Sequence, residues 1–270
     1  RRAMPLAWTH LLPSTFGGAA RMNVANALAA AGAAFALDAP LHDIRQGLRT
    51  FNTSYYQSPG RLNRLDVNNI EVFVDYCHNP PGMERLGEFV EGYVKHKQGS
   101  TTHRISRIGM VGAAGDRRDE DIRELGYVAA KFFDVLVLRE DDNLRRRPPG
   151  EAAALLDEGA QKAMAEGARC RTTEIVLDEP TATRHAIVRA NAGDLVVLCV
   201  DKHARVLSQL EGYTHQAAAG SRADEEQAGD PDLDASDLVL HDVQATSMDD
   251  PEVRAETGEE PEPVPSPPRW

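Results

Sequence analysis

Asp75, His78 and Asn79 lie within five residues of one another, at the end of the apolar run that begins at Ile70. If that run is a strand, a carboxylate, an imidazole and a carboxamide project from its C-terminal end, which is where open α/β sheets bind ligands. The same residues also suit an Asx turn ahead of Pro80, and the cluster alone does not choose between the two readings. A second segment, Gly112-Ala113-Ala114-Gly115-Asp116-Arg117-Arg118-Asp119, follows an apolar run ending at Val111 and opens a helical pattern. Small residues let backbone approach a ligand, a helix N-terminus offers free N–H groups, and arginines grip phosphate or carboxylate in bidentate fashion, so this segment reads as an anion site. The competing reading makes Asp116 or Asp119 a helix cap within a solvated charge run.

A third polar segment, Glu140-Asp141-Asp142-Asn143-Leu144-Arg145-Arg146-Arg147, again follows an apolar run. Acids, an amide and three arginines on one loop suit a ligand that bears both a cation and a carboxylate, and the amino acid arginine fits; so charged a loop is also often merely solvated. Three such loops at successive strand ends on one sheet edge point to one site. No Gly-x-x-x-x-Gly-Lys-Ser/Thr occurs in the sequence, so none of them is a Walker A loop.

The elements that must position these loops are legible from periodicity. Apolar strands Ile105 to Val111, Val135 to Leu138, Ile175 to Leu177 and Leu195 to Val200 alternate with helical patterns near Met83 to Lys97, Asp119 to Phe133, Gly150 to Glu166 and Thr181 to Ala190. That alternation predicts an α/β fold of βαβ units around a mostly parallel, Rossmann-like sheet. Ahead of it, Arg61 to Val67 and Ile70 to Asp75 read as two strands joined by a tight Asn68-Asn69 turn, and a last helix is expected from about Lys202 to Glu211. Arg21 to Leu37 is alanine-rich and nearly uncharged, which predicts a helix buried over most of its circumference against a partner surface. Pro40 to Phe51 reads as a shorter amphipathic helix.

With 270 residues and 41% hydrophobic content the chain has enough apolar material for at least one core. It contains neither an apolar run of membrane-spanning length nor a signal-peptide pattern, and its three cysteines are scattered, so a cytoplasmic protein without disulfides or a zinc site is expected. From Gln216 to Trp270 there are 15 acidic residues and three arginines, which accounts for the whole formal charge of −12. That segment is too polar to bury much surface and reads as a disordered acidic, proline-rich tail, while the neutral remainder is free to hold local basic clusters.

The segments Asn23-Val24-Ala25-Asn26-Ala27-Leu28-Ala29-Ala30, Pro59-Gly60-Arg61, Asp75 to Pro80 and Gly115-Asp116-Arg117 occur in the order and relative spacing of the Mur ligases. Over Arg1 to about Glu211 the chain resembles that family, and the loop from Asp141 to Glu151 narrows the resemblance to its cyanophycin-forming branch. The resemblance implies that residues 1–57 end a central ATPase domain, that 58–213 form the C-terminal lobe that closes over nucleotide, and that 214–270 are the tail. It implies an ATP- and Mg2+-dependent ligase that activates a carboxylate as an acyl phosphate and adds arginine to aspartate side chains of a poly-aspartate primer. The P-loop, the metal ligands and an ATP-grasp domain would lie upstream, so the isolated chain is expected to be inactive. The implied partners are ATP, arginine and the primer, in a homo-oligomer, with no nucleic acid and no membrane.

By position, the resemblance places Asn23 and Asn26 near the adenine, Asp75 on the ribose hydroxyls, His78 and Asn79 near the phosphates, and Arg61 on phosphate. Arg61 and His78 are the candidate catalytic residues. Asp116 and Arg117 would stand at the mouth of the site, and Asp142, Asn143 and Arg145 would select the incoming amino acid. Two positions depart from the pattern: Cys77 replaces an alanine, and Arg146 replaces a glycine, the residue best suited to a positive φ. The alternatives to this reading are another Mur-type amide ligase, against which the 141–151 loop argues, and a non-catalytic binding module that keeps the lobe fold.

Overall fold

The computed structural model describes residues 4–99 and 104–214; the expected disordered tail falls almost wholly outside them. Six strands form one sheet: β1 (Asn63–Val67), β2 (Ile70–Asp75), β3 (Arg107–Ala113), β4 (Val135–Glu140), β5 (Thr172–Ile175) and β6 (Leu195–Cys199). The spatial order is β1-β2-β6-β3-β4-β5. β1 and β2 run antiparallel, and every other neighbouring pair is parallel. The hairpin follows from Asn68 and Asn69, both at positive φ (54° and 62°), the backbone a two-residue turn between twisted strands requires.

Helices α3 (Pro80–Gln98), α4 (Asp119–Phe132), α5 (Glu151–Ala165) and α6 (Glu179–Val188) connect the strands, and residues 203–214 form a further helix. Because the central strands are buried on both faces, they read as continuous apolar runs. Phe73, Val197, Met83, Leu86 and Phe89 belong to the core on one face; Val72, Val74, Val196, Val206 and Leu210 belong to that on the other. Between α4 and α5, a side chain at Gly126 or Gly159 would strike the facing helix's main chain, so these glycines set how closely the helices pack.

Two expectations need correction. The fifth strand lies at Thr172–Ile175, ahead of the expected Ile175 to Leu177, because an edge strand half open to solvent draws on β-branched threonines rather than on an apolar run. The alanine-rich segment does form a helix, α1 (Arg21–Ala36), but only Ala31 in it is buried, and Leu28 and Phe35 are more than half exposed. It meets chiefly α2 (Leu41–Thr50), a 3-10 turn at Pro13–Thr15 and α3.

Candidate functional site

The sheet's parallel strands end along one edge, and the loop after β2 stands beside a turn organised by a buried amide. Asn63, 1% exposed, accepts the Gly60 N–H at 2.7 Å and donates to the carbonyls of Thr53 and Ser58 at 2.7 and 2.8 Å. Those bonds hold the Ser58-Pro59-Gly60 turn that presents Arg61. Leu62, at φ 51°, then donates its N–H to Asp75 Oδ2 at 3.0 Å, so the end of β2 and the Arg61 turn are tied together. The Arg61 guanidinium lies 5.2 Å from the centre of the Tyr76 ring, and His78 Nδ1 is 2.8 Å from the Tyr76 carbonyl. Asn79 caps α3 by accepting the Gly82 N–H at 2.9 Å, so the structural reading of this cluster also holds in part.

Facing this loop, α1 and α2 supply the opposite wall of a groove of about 920 Å³. Asn23, Asn26, Arg61, Asp75, His78 and Asn79 all line it, beside a surface of Ala27, Ala30, Ala34, Ile44 and Leu48. Asn23 donates to the Ser14 carbonyl at 2.7 Å, and Asn26 to Asn23 Oδ1 at 3.3 Å, which orients both amides. Burial raises the Asp75 carboxyl above its ordinary value, opposed by the Leu62 N–H and the charge of Arg61. An apolar wall, two amides, a carboxylate and a guanidinium on one groove suit a ligand with a ring, hydroxyls and an anionic group. Among the described residues no group of three or more His, Cys, Asp or Glu is arranged to hold a metal ion, and no helix is long and apolar enough to cross a membrane.

The second and third polar loops bind one another. Arg145 pairs with Asp116, which holds the Asp116 carboxyl below its ordinary value, and Asn143 accepts the Arg145 N–H at 3.0 Å. Arg147 donates to the carbonyls of Gly115 and Arg117 at 3.0 and 2.9 Å and to the carboxylates of Asp119 and Glu151. Leu144 packs so closely over Gly115 that a side chain there would meet its carbonyl. Asp142 lies 3.4 Å from Arg205. Arg145 and Arg146 both have positive φ, 49° and 74°, so the position where glycine is the expected residue does adopt a left-handed backbone.

The single site expected from three successive loops is thus more divided. β6 sits between β2 and β3, and Ala113 and Arg117 of the second loop, with Asp121 of α4, line a cavity of about 270 Å³ together with His78 and Asn79. Asp116, Asn143 and Arg145 make their contacts with each other, and Asp142 with Arg205.

Sequence reasoning missed the device that holds this edge together. Arg139, 3% exposed, donates to the Cys199 carbonyl at 2.9 Å and to Asp141 at 2.8 Å, and pairs with Glu179 at 3.1 Å. Glu179 in turn accepts the N–H groups of Asp201 and Lys202 at 2.7 and 3.1 Å, fixing the loop after β6. An arginine directly after the apolar run Val135–Leu138, within the buried strand Val135–Glu140, was the available signal, since a charge in a buried strand requires a buried partner. Glu140 serves the neighbouring loop by accepting the N–H groups of Gly150 and Ala152 at the start of α5.

Residues 60–200 match the family model for the Mur ligase, glutamate ligase domain. The chain belongs to the Mur ligase family, and its mostly parallel sheet is the C-terminal lobe of that family. Among curated proteins it is similar to cyanophycin synthetase from Trichormus variabilis, 39% identical over 210 residues, covering 76% of this chain and 22% of that protein. With cyanophycin synthetase from Crocosphaera subtropica it is 41% identical over 199 residues, covering 74% of this chain and 21% of that protein. A UDP-N-acetylmuramoyl-L-alanyl-D-glutamate–2,6-diaminopimelate ligase from Caldanaerobacter subterraneus is 30% identical over 182 residues, covering 67% of this chain and 33% of that protein. The chain spans about a fifth of the length of the cyanophycin synthetases it matches.

Proposed function

We propose that this chain is the nucleotide-closing and amine-selecting part of an ATP-dependent amide ligase of the cyanophycin synthetase type. The observation that supports this reading is the convergence of Asn23, Asn26, Arg61, Asp75, His78 and Asn79 on one groove from three separate parts of the sequence. In this reading residues 1–57 end the central ATPase domain and 58–213 form the lobe. The amides of Asn23 and Asn26 pair with the base while the alanine surface of α1 covers its face. Asp75 accepts hydrogen bonds from the ribose hydroxyls, and Arg61, held over Tyr76, offsets charge on the transferring phosphoryl group.

The chemistry is a transfer in two steps. An aspartate side-chain carboxylate of the poly-aspartate primer attacks the terminal phosphoryl group of ATP, releasing ADP and leaving an acyl phosphate. The amine of arginine then attacks that carbonyl, phosphate departs, and an amide forms. In this reading His78 and Asn79 face the phosphates, Asp116 and Arg117 serve the mouth of the assembled site, and Asp142, Asn143 and Arg145 receive the incoming arginine. Mg2+, held by residues beyond this chain, would neutralise phosphate charge; the P-loop and ATP-grasp domains would likewise be supplied by the rest of a homo-oligomeric ligase.

Arginine incorporation tests the reading. A full-length ligase containing this chain with Asp75→Ala should stop adding labelled arginine to a poly-aspartate primer while still adding aspartate with ATP. Unchanged arginine incorporation would overturn the role given to Asp75. Turnover by the isolated 270-residue chain would overturn the division of labour.

A further inference from the structure

A third cavity, of about 590 Å³, opens at the opposite edge of the sheet, where β3, β4 and β5 begin. Lys95, Arg104, Arg107 and Arg169 line it, with Glu91 as the one carboxylate among the described lining residues. Beneath them Asp134, just ahead of β4, accepts from Arg104 at 3.1 Å, from Arg169 at 3.0 Å and from the Arg107 main-chain N–H at 3.0 Å. One carboxylate is therefore shared by two guanidinium groups, and the Arg107 guanidinium reaches only the Phe132 carbonyl, at 3.4 Å, among the described residues.

The hydrogen bonding and the crowding of this cluster mark it as short of negative charge. Arg107 is 8% exposed, yet its Nε–H and that of Arg169 have no hydrogen-bond partner among the described residues. Burial and the adjacent charge of Arg169 also lower the proton affinity of Arg107, the effect of crowding cations where water is scarce. A cation held this way is costly unless a counter-ion completes the site, and guanidinium forks are shaped to chelate tetrahedral and planar oxyanions. Four cations around two carboxylates leave room for a doubly charged partner.

We propose that Arg104, Arg107 and Arg169 form a binding site for a multiply charged oxyanion, a phosphate or the clustered carboxylates of an acidic peptide. It shares no lining residue with the groove at the other edge and does not depend on what that groove binds. Its place among the strand starts lets occupancy brace three strands and the end of α3 at once.

Calorimetric titration of the 270-residue chain with inorganic phosphate, at ionic strength held constant with chloride, tests the site. The wild-type chain should bind phosphate, and Arg104→Gln combined with Arg169→Gln should weaken binding about tenfold or more. Arg49→Gln, at an exposed cation of α2 that lines neither cavity, should leave that affinity unchanged. Arg104→Gln alone, in a side chain 78% exposed, gives a variant whose fold is not at risk and should already reduce affinity measurably. Tri-aspartate that competes with phosphate would assign peptide carboxylates as ligands, and tri-aspartate that does not would assign free phosphate. The proposal is overturned if neither anion binds beyond the matched chloride control, or if the double variant binds phosphate as tightly as the wild type.

Discussion

Asp75 Oδ2 accepts the main-chain N–H of Leu62 at 3.0 Å, so the carboxylate that ends β2 also anchors the turn presenting Arg61. One residue therefore has a structural and a proposed ligand-binding task, and substitution can separate them. Asp75→Asn keeps an acceptor for Leu62 while removing the charge. It should leave the fold intact and weaken binding of an ATP analogue to the full-length ligase by about tenfold or more, the worth of a charged hydrogen bond to hydroxyls. Calorimetry on both proteins checks this.

The same carboxyl gives a pH signature. Burial raises its folded-state value, so the folded chain binds this proton more tightly than the unfolded chain does. Its contribution therefore favours folding below the ordinary carboxylate value and is lost as pH rises through the elevated one. Urea midpoints measured from about pH 4 to 8 should show this loss in the wild type, and Asp75→Asn should lack it.

Arg139 and Glu179 form a buried pair at 3.1 Å, both at most 3% exposed. Arg139→Met leaves Glu179 without its buried cation and should destabilise the chain by about 3–5 kcal/mol. Adding Glu179→Leu removes the stranded charge but also the acceptor for Asp201 and Lys202. The double variant should therefore lose less than the two single losses combined, without regaining wild-type stability. Equilibrium urea unfolding measures all three.

Asn63→Ala removes the acceptor for Gly60 and the donor for Thr53 and Ser58 in a buried turn. The expected cost is about 2–3 kcal/mol, read from thermal or urea unfolding. Because the turn presents Arg61, nucleotide-analogue affinity in the full-length ligase should fall as well, although Asn63 does not line the groove.

Arg146, at φ 74°, is a non-glycine residue in left-handed backbone. Arg146→Gly relieves that strain and adds unfolded-chain entropy, so stability should change by less than about 1 kcal/mol. Arg146→Val, β-branched at the same φ, should cost about 1–2 kcal/mol. Unfolding midpoints of the two variants distinguish left-handed backbone at this position from a loop free to rearrange.

Much of the fold was legible because its signals are local. The runs around β2, β3, β4 and β6 are predominantly apolar, and the intervening helices repeat their apolar residues at helical spacing, so type and order follow from neighbours in the chain. β5 was misplaced because Thr172 and Thr173 form a short edge strand whose pairing with β4 outweighs its polar character. The groove was foreshadowed only as separate fragments. Asn23 and Asp75 lie 52 positions apart, and nothing within either segment shows that they face one another.

By itself the sequence determined the α/β class, the hairpin around Asn68 and Asn69, and polar loops after β2, β3 and β4, since backbone preference and hydrophobic period act over a few residues. Only the tertiary structure decided which loops meet. His78 and Asn79 share a cavity with Arg117 although β6 is inserted between β2 and β3, Asp116 pairs with Arg145, and Arg139 finds Glu179 across 40 residues. These outcomes rest on long-range pairing of strands and the burial of charges, energies that exist only once distant segments share one core.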